Sequence, residues 1–465
     1  MLSNLILNTD AYKLSQWNQY PPNTEHIYSY IESRGNSESN IGLNGVLFFG
    51  LQAFIKEYLM VPITIHDIQQ AEQFTKDHGL PFNRNGWMKL SKYQGKLPIE
   101  IKAVPEGTIV NPTGNVLLTI QNTDPEFWWL TSYLETALLR AIWYPTTVAT
   151  NSWRIKKLIR LYLEKNGDVS SLDFKLHDFG ARGVSSFESS VLGGMSHLVN
   201  FSGTDTMSGV LGAIKYYKAK IGNFSIPAME HSTVTSWGKE NEEDSYRNML
   251  NNYAKSGTLV ACVSDSWDIY AACEMWGTKL KQQVIDSKAT IIIRPDSGDP
   301  ATVVLKCVQI LDNHYGHIIN NKNYKVLNNV RVIQGDGINH HSIEKILSTL
   351  DQNGYSSDNV AFGMGGALLQ HLNRDTLKFA MKCSAICVSG EWKDVYKQPV
   401  GDFMKRSKKG KLKLVQVKDG SYTTLKDDGV EDIPELKNKL ETIFLDGDLI
   451  KDITFDQVRK NSEKY

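Results

Sequence analysis

The fold is decided by a stretch that reads Thr290-Ile291-Ile292-Ile293-Arg294-Pro295-Asp296-Ser297-Gly298. Its short apolar run, bounded by polar residues, is typical of a strand buried inside a parallel sheet. The residues after the run include Pro and Gly, which indicate a loop at the carboxyl end of that strand. A helical pattern follows over residues 301–313, so the stretch predicts one strand–loop–helix unit.

Similar units recur from about residue 173 onward, and helical patterns such as residues 267–284 separate several of the apolar runs. Strands that alternate with helices predict an α/β fold with a parallel sheet, and seven or eight units over this length predict an irregular (β/α) barrel. A doubly wound open sheet would gather the same loops at its strand ends. The other predicted strands cover residues 174–176, 198–201, 224–226, 259–263, 330–333, 360–362 and 379–388.

The chain is predicted to form two lobes. Residues 1–165 read as a mixed α/β lobe, with strands over 97–104 and 115–121 and two helices over 124–166 that separate at Tyr144-Pro145. Residues 166–388 form the predicted barrel. Residues 389–465 are predicted to supply strands and a helix that pack back on the N-terminal lobe, so that both chain ends build the second domain.

The composition excludes several classes of protein. Lys and Arg total 51 and Asp and Glu total 51 in 465 residues, which leaves none of the basic excess of a non-specific nucleic-acid or membrane-surface binder. We expect a soluble, cytoplasmic protein, because the most apolar stretches are too short to span a membrane and residues 1–12 lack the basic start of a signal peptide. The five scattered cysteines predict buried thiols rather than a disulfide framework.

Polar or Gly-rich clusters follow seven of the predicted strands. In a parallel barrel the carboxyl ends of the strands share one rim, where active sites are built. The sequence therefore predicts a single site on this rim. The clusters are His177-Asp178-Phe179-Gly180, Gly203-Thr204-Asp205, Glu230-His231-Ser232, Ser264-Asp265-Ser266, Arg294 to Gly298, Gly335-Asp336-Gly337 and Gly363-Met364-Gly365-Gly366.

The residue types on this rim favour phosphate chemistry. Two Gly loops on late strands, the second leading into a helical pattern over 367–372, can bring backbone N–H groups close to an anion. Bidentate hydrogen bonds to phosphate can come from the guanidinium groups of Arg182, Arg294 and Arg374. The rim carboxylates, Asp178, Asp205, Asp265, Asp296 and Asp336, can bind ribose hydroxyls, hold Mg²⁺ or orient a histidine. Each of these residues alone is more often a turn, cap or surface residue.

Three further side chains complete the candidates. His231 can act as an acid or base, a nucleophile or a phosphate acceptor. Tyr12 and Phe179 can stack on a flat ring, although most aromatic residues belong to the core. His340 and His341 follow the Gly335 loop, and we expect both to be solvated.

With these motifs the chain resembles the nicotinamide phosphoribosyltransferases, which are type II enzymes of the nicotinate/nicotinamide phosphoribosyltransferase family. The resemblance runs in register over essentially the whole chain, so it is far more specific than any single motif. It rests on residues 8–13, 19–24, 177–186, 197–205, 227–233, 263–270, 292–298, 332–337, 361–370 and 405–410.

The resemblance implies the irregular α/β barrel of type II phosphoribosyltransferases and a homodimer with active sites at the subunit interface. The implied reaction joins nicotinamide to phosphoribosyl pyrophosphate with Mg²⁺, which is carried mainly by the pyrophosphate, and gives nicotinamide mononucleotide. ATP hydrolysis is coupled through a phosphorylated histidine. The resemblance implies neither a nucleic acid nor a membrane as partner.

The resemblance also implies roles for individual residues. His231 would accept the phosphate, with Asp265 holding its tautomer, and Asp205 would bind the carboxamide N–H₂. Phe179 would stack on one face of the ring, and Tyr12 of the other subunit would stack on the second face. Pyrophosphate, ribose and 5′-phosphate contacts would come from Arg182, Arg294, Asp296, Gly335, Asp336, Gly365, Gly366 and Arg374. Phosphate contacts in the partner subunit would come from Arg34, Lys405, Lys408 and Lys409. The family pattern commonly has an aromatic residue in place of Ala181 and small residues in place of Met229 and Met364.

Three alternatives remain open at this point. The first is the sister activity on nicotinate. The Asp205 carboxylate speaks against it, because it would repel the carboxylate of nicotinate. The second is a non-catalytic binding protein on the same fold, which has no physical need for His231 and Asp265. The third is a sugar-phosphate isomerase, whose acid/base pair is poorly matched by the rim residues.

Overall fold

The computed structural model describes residues 4–35, 44–220, 225–400, 406–427, 429 and 437–464. The chain divides into two compact units. The first comprises Met1–Thr150, Ala213–Ala219 and Leu372–Tyr465, and the second comprises Asn151–Gly212 and Lys220–His371.

The strands are numbered in chain order. They are β1 (Thr24–Ser33), β2 (Val46–Leu47), β3 (Ile99–Ala103), β4 (Ile109–Val110), β5 (Val116–Asn122), β6 (Leu176–Asp178), β7 (Leu259–Val263), β8 (Thr290–Arg294), β9 (His317–Ile319), β10 (Lys325–Leu327), β11 (Val330–Gln334), β12 (Val360–Met364), β13 (Phe379–Val388), β14 (Glu391–Asp394), β15 (Leu412–Gln416), β16 (Tyr422–Lys426), β17 (Glu441–Leu445) and β18 (Asp448–Leu449).

The α-helices are α1 (Leu51–Phe54), α2 (Ile65–Asp77), α3 (Arg84–Lys92), α4 (Leu130–Tyr133), α5 (Glu135–Asn166), α6 (Phe187–Leu198), α7 (Met207–Tyr217), α8 (Ser232–Thr235), α9 (Glu242–Tyr253), α10 (Ile269–Gly277), α11 (Lys281–Ser287), α12 (Pro300–Tyr315), α13 (His340–Gln352), α14 (Gly366–Leu369) and α15 (Phe455–Ser462). Within the described ranges, none of the helices combines the length and the apolar character needed to cross a membrane.

The first unit is built on a seven-stranded sheet with the order β14-β13-β1-β5-β3-β17-β18. Its central pairs, β1 with β13 and β1 with β5, are antiparallel. The prediction that residues 379–388 join the parallel set is therefore wrong. A parallel connection needs a crossover of a dozen or more residues, usually a helix, and the short stretch after α14 has no room for one.

The described part of the C-terminal segment lies against the N-terminal strands of this unit. Strand β17 pairs antiparallel with β3, and β15 and β16 form a hairpin. At the end of α15, the side-chain amide of Asn461 donates to the carbonyl of Glu106 at 2.9 Å. Both chain ends thus contribute to one layer of structure.

Helix α5 continues through Pro145, so the predicted break at Tyr144-Pro145 is wrong. Packing explains the continuity. The Thr146 hydroxyl donates to the carbonyl of Phe49 and accepts from its N–H, and Gly50, at φ +107°, leaves space for the proline ring. Pro145 removes one intrahelical hydrogen bond, but a buried helix held on its neighbours retains its other bonds.

The second unit contains the parallel sheet that the sequence predicts. Its order is β6-β12-β11-β8-β7, and every pair is parallel. Isolated parallel bridges extend it at both ends, from Asp178 to Thr204 and from Ala261 to Ala228. Seven positions therefore follow one another in cyclic chain order, with an opening between Thr204 and Ala228. This is the expected irregular barrel-like α/β fold.

Two local predictions in this unit are wrong. Residues 198–201 form no strand, because Leu198 ends α6 and Asn200 and Phe201 continue in turns bonded to His197. An apolar run of this length looks the same in a buried helix end and in a strand. The predicted helix over 267–284 is two helices, since α10 ends at Gly277 and α11 begins at Lys281. Predicted strand 224–226 begins outside the described residues, and its remainder forms no strand.

The cysteines are free thiols, and Cys262, Cys273, Cys307 and Cys387 are buried, as predicted.

Candidate active site

The carboxyl ends of the parallel strands bring the polar clusters to one edge of the second unit. Phe179 follows β6, Asp265 follows β7, Asp296 follows β8, Gly335 follows β11 and Gly365 follows β12. Neighbouring strands place these loops side by side. Side chains from the loops after β6, β7, β8 and β11 approach one another.

His231 and Asp265 form the central contact of this edge. The Nε2 atom of His231 lies 2.9 Å from Oδ1 of Asp265. The His231 side chain is 46% exposed and that of Asp265 only 5%. The imidazole therefore faces solvent while one of its nitrogens contacts a buried carboxylate. Since Asp265 holds Nε2, the proton is assigned to Nε2 and the Nδ1 lone pair faces away from the carboxylate.

The second oxygen of Asp265 is bound to the loop after β8. Its Oδ2 accepts from the backbone N–H of Asp296 at 3.0 Å and from the Ser297 hydroxyl at 2.8 Å. The carboxylate is therefore fixed from two sides, and it joins the His231 loop to the Asp296 loop. Ser297 was not among the predicted site residues, and its only signal in the sequence is a hydroxyl next to a rim carboxylate.

Asp296 and Arg294 form a charged pair that does not use all of the hydrogen-bond donors of Arg294. A guanidinium nitrogen of Arg294 lies 4.0 Å from Oδ2 of Asp296, and the buried Nε of Arg294 has no hydrogen-bond partner among the described residues. Burial raises the pKa of Asp296, and the nearby charges of Asp265 and Asp336 act in the same direction. These groups can therefore bind further polar atoms of a ligand.

Phe179 lies across the ends of the central strands. Its backbone N–H donates to the carbonyl of Met364 at 3.0 Å. Its ring lies so close to Gly363 that a Cβ atom there would fall 2.0 Å from a ring carbon, and a Cβ on Gly335 would fall 3.6 Å away. Only glycine fits at position 363 with the ring in this place.

Asp178 lies directly before Phe179 and is buried. Its Oδ1 accepts from the N–H of Gly180 at 2.7 Å, whereas Oδ2 has no hydrogen-bond partner among the described residues. Burial raises the pKa of this carboxyl to about 6. The neighbouring His177 is mostly buried, with Nε2 3.1 Å from the carbonyl of Phe174, and burial lowers its pKa.

Asp205 lies at the opening of the sheet. Its backbone N–H donates to the carbonyl of Asp178 at 3.0 Å, and its exposed carboxylate accepts from the hydroxyl of Ser225. This contact crosses the opening between Thr204 and Ala228. Ser225 was not among the predicted site residues, because residues 224–226 read as a strand.

The candidate phosphate loops also lie on this edge. Gly183 lies close to Gly366, since a Cβ on Gly183 would fall 3.4 Å from the Cα of Gly366. Arg182, in the same one-turn 3₁₀ segment Ala181–Gly183, is exposed. The predicted helix over 367–372 is only the four-residue α14, so an extended helix dipole is absent and only loop N–H groups are offered. Asp336 is exposed near Asp296.

The remaining candidates lie in the first unit. The Tyr12 side chain is 57% exposed. Arg34 donates through Nε to the buried Glu32 at 2.8 Å, and the Lys408 ammonium donates to the other oxygen of Glu32. The rest are exposed, with Lys409 5.4 Å from the Tyr396 ring and Arg374 3.4 Å from Asp375. Lys405 lies outside the described residues.

The three departures from the family pattern have different surroundings. Ala181 is exposed, whereas Met229 and Met364 are buried. None of the three replaces a candidate side chain of the site.

Two family profiles together match most of the chain. The profile of the nicotinate phosphoribosyltransferase (NAPRTase) family matches residues 174–445, and the profile of the nicotinamide phosphoribosyltransferase N-terminal domain matches residues 4–101.

Two curated relatives match nearly the whole chain. A protein of Xanthomonas campestris pv. campestris named nicotinamide phosphoribosyltransferase is 51% identical, over 99% of this chain and 98% of its own. One of Acinetobacter baylyi with the same name is 32% identical, over 97% of this chain and 95% of its own.

Solved structures match in fold at low sequence identity. Nicotinate-nucleotide pyrophosphorylase from Pyrococcus furiosus has a TM-score of 0.63 at 15% identity, covering 99% of this chain and 95% of its own. Human nicotinic acid phosphoribosyltransferase has a TM-score of 0.56 at 14% identity, covering 98% and 93%. With a profile match over more than half of its residues and relatives at this identity, the chain belongs to the nicotinate phosphoribosyltransferase family of pentosyltransferases.

Proposed function

We propose that this protein transfers the 5-phosphoribosyl group from phosphoribosyl pyrophosphate to nicotinamide, giving nicotinamide mononucleotide and pyrophosphate, in the cytoplasmic salvage of NAD. The observation that carries the proposal is the 51% identity, over 99% of the chain, to a relative named for this activity. The residues at the carboxyl edge of the parallel sheet supply the chemistry that such a transfer needs.

The reaction requires positioning rather than proton removal. The pyridine nitrogen attacks C1 of the ribose with its own lone pair, and the C1–O bond to pyrophosphate breaks with its electron pair on pyrophosphate. No proton is transferred, so the barrier lies in aligning the reactants and stabilising the charge of the leaving group. The site is accordingly rich in Arg, Asp and glycine loops.

The nicotinamide ring is proposed to stack on the Phe179 ring, on the side away from Gly363. Tyr12 of a second subunit would cover the other face of the ring. The Asp205 carboxylate, next to the opening of the sheet, accepts a hydrogen bond from the carboxamide N–H₂. Its negative charge favours the amide over the acid, because the carboxylate of nicotinate would be repelled.

The phosphoribosyl group is assigned to the loops after β8, β11 and β12. Asp296 and Gly335 would hold the ribose hydroxyls, and Arg182 and Arg294 would bind the pyrophosphate. Support comes from the buried Nε of Arg294, which has no hydrogen-bond partner in the described part of the chain. Contacts to the 5′-phosphate are assigned to Asp336, Gly365, Gly366 and Arg374.

Magnesium is proposed to arrive on the pyrophosphate. Around Asp296 the described residues contain no group of three ligands close enough together to hold a cation by themselves. The donors nevertheless suit Mg²⁺, since Asp296 and the nearby Asp336 offer carboxylate oxygens. Bound there, Mg²⁺ would neutralise charge on the leaving group.

ATP hydrolysis is proposed to act through His231. With Nε2–H held by Asp265, the Nδ1 lone pair attacks the γ-phosphorus of ATP, the bond from that phosphorus to the β,γ-bridging oxygen breaks, and ADP leaves. The resulting phosphoimidazole keeps its Nε2–H on Asp265. The negative charge of the bound phosphate would be felt by the loop after β8, because Asp265 contacts His231 and also accepts from the Asp296 N–H at 3.0 Å.

The first experiment offers nicotinamide and nicotinate in competition, with phosphoribosyl pyrophosphate and Mg²⁺, with and without ATP. Nicotinamide mononucleotide as the main product, increased by ATP, is the expected result. Nicotinate mononucleotide as the main product would transfer the proposal to the sister activity, which the name of the matched family also favours. No product from either base would favour the non-catalytic alternative.

The role of Asp205 in choosing nicotinamide over nicotinate is tested with Asp205→Ser, because serine removes the charge and keeps a polar group. We expect this variant to lose much of the preference for amide over acid, and Ser225→Ala, which keeps the carboxylate, to retain it. An unchanged ratio of the two products in Asp205→Ser would remove Asp205 from the specificity argument.

The phosphate acceptor is tested by intact-mass measurement with ATP and Mg²⁺. Wild type and the exposed-histidine control His66→Ala should each gain one phosphate, whereas His231→Ala should gain none. An adduct that survives in His231→Ala would refute the assignment.

A homodimer is proposed because Tyr12 and the basic residues Arg34, Lys405, Lys408 and Lys409 are assigned to the site of a second subunit. Mixing Tyr12→Ala with Asp296→Ala should then restore part of the activity, since a mixed dimer contains one intact site. Full activity from a demonstrated monomer would contradict the proposal.

A further inference from the structure

Two histidines and a glutamate converge at the start of α13. One ligand atom from each of His340, His341 and Glu344 lies within 4.8 Å of the others. His340 and Glu344 share one face of the helix because they are four residues apart. His341 is exposed as expected, but the expectation of a solvated His340 is wrong, since that residue is half-buried.

Within the described residues, none of these three side chains makes a hydrogen bond or an ion pair with another side chain. The Nε2 atom of His340 is buried without a hydrogen bond. The rings of His340 and His341 meet edge to face, with centroids 5.8 Å apart. A buried imidazole nitrogen without a partner loses its hydrogen bond to water and gains nothing in return, so a bound group there would satisfy it.

The backbone under the cluster is well fixed. The Asn339 side chain accepts from the N–H groups of His341 at 2.9 Å and Ser342 at 3.1 Å, and Ser342 closes a reciprocal capping box. The Ser342 hydroxyl also lies 2.9 Å from the carbonyl of Gly337. The first turn therefore holds its side chains in place before any ligand arrives.

Charges of both signs surround the cluster. The helix N-terminus and the nearby Arg154 both oppose a cation, and Glu344 offsets them. Burial lowers the pKa of His340, with Arg154 and His341 acting in the same direction and Glu344 against it. Burial therefore favours the neutral form of the His340 imidazole, which is the form that binds metals.

We propose that His340, His341 and Glu344 form a site for a divalent transition metal of the Zn²⁺ type, with water completing the coordination. Two imidazoles and one carboxylate suit Zn²⁺, Co²⁺, Ni²⁺ or Cu²⁺, whereas Mg²⁺ and Ca²⁺ prefer oxygen ligands. Metal–ligand bonds of about 2.0–2.2 Å place neighbouring ligand atoms roughly 3.5 Å apart. Rotation of the exposed His341 and Glu344 side chains can supply that contraction.

The test is a calorimetric titration of untagged protein with Zn²⁺ in excess Mg²⁺, repeated with Co²⁺ while its visible absorption is followed. The variants are His341→Gln and Glu344→Gln, both at exposed positions where folding is not at risk, with His66→Gln as the control at an exposed histidine elsewhere. Wild type and His66→Gln should bind one more equivalent than the two variants, or bind it at least about tenfold more tightly. A Zn²⁺-dependent rise in melting temperature should follow the same pattern.

The comparison between variants is needed because other histidines also have carboxylate partners, such as His314 with Glu274 and His317 with Asp312. Metal bound at those pairs would appear equally in all four proteins. Equal stoichiometry and affinity in wild type, His341→Gln and Glu344→Gln would overturn the proposal. A Co²⁺ spectrum unchanged by either substitution would do the same.

Discussion

Two buried aspartates at opposite ends of the parallel sheet differ in how they are used. Asp178 ends β6 and is fully buried, and Asp265 follows β7 with 5% of its side chain exposed. Asp178 accepts one hydrogen bond, from Gly180, and its second oxygen accepts none within the described chain. Asp265 contacts His231 with one oxygen and accepts two hydrogen bonds with the other.

The two aspartates differ because their neighbouring loops supply different hydrogen-bond partners, although both carboxylates lie at strand ends. Asp178 remains poorly solvated, and burial raises its pKa to about 6. Asp265 is oriented by its neighbours and in turn orients an exposed histidine. Three predictions test this difference.

The largest effect is expected for Asp178→Asn. Because the folded pKa of about 6 lies above the ordinary aspartate value of 3.8, the folded protein binds this proton more tightly than the unfolded chain. That contribution to stability is complete below about pH 4 and is lost as the pH rises through 6. At pH 7 the asparagine variant should be more stable than wild type by up to about 3 kcal/mol, and at pH 4 the advantage should vanish.

Chemical denaturation at several pH values measures this effect, with Asp286→Asn on an exposed helix position as the control. A stability difference between Asp178→Asn and wild type that does not change between pH 4 and pH 7 would show that Asp178 does not titrate in this window.

The second effect is expected for Asp265→Asn. The amide keeps the shape of the side chain but cannot bind both His231 Nε2–H and the donors of the β8 loop. If ATP acts through His231 as proposed, the ATP-dependent increase in rate should fall about 10–100-fold, as is usual when a carboxylate that orients a histidine is lost. The rate without ATP should change far less, and an equal loss in both rates would indicate general damage to the site.

The smallest effect is expected for Ser297→Ala, which removes one of the three contacts of Asp265. A hydrogen bond is worth about 1 kcal/mol, so the ATP-dependent rate should fall roughly fivefold. Ser348→Ala on α13, which removes a hydroxyl bonded to Lys345, serves as the control. No change in Ser297→Ala would mean that the N–H of Asp296 alone holds Asp265.

Much of the parallel sheet could be predicted from the sequence. Strands β7, β8, β11 and β12 are short apolar runs between turn residues, and the loops after them carried the candidate residues. The runs at 198–201 and 379–388 were misjudged, because an apolar run alone does not distinguish a helix end from a strand or a parallel partner from an antiparallel one. The continuity of α5 through Pro145 depends on tertiary packing by Phe49 and Gly50.

The site was predictable in residue type but not in detail. Asp265 and His231 could be paired through the family resemblance, whereas the hydroxyls of Ser297 and Ser225 act through contacts between loops that are distant in sequence. Residue spacing cannot reveal such contacts. The pairing of Arg34 and Lys408 with the buried Glu32 was invisible for the same reason, as Lys408 lies far from β1 along the chain.

The pairing of β6 with β12 sets the order in which this unit can form during synthesis. Asp178 pairs with Met364, 186 residues later. At ribosomal rates of 5–20 residues per second, β6 waits about 10 to 40 seconds for its only neighbour within the five-stranded sheet. Contacts this distant in sequence form slowly. The loop that carries Phe179 is therefore one of the last parts of the sheet edge to find its place, and a ribosome stalled before β12 would leave β6 with only its bridge to Thr204.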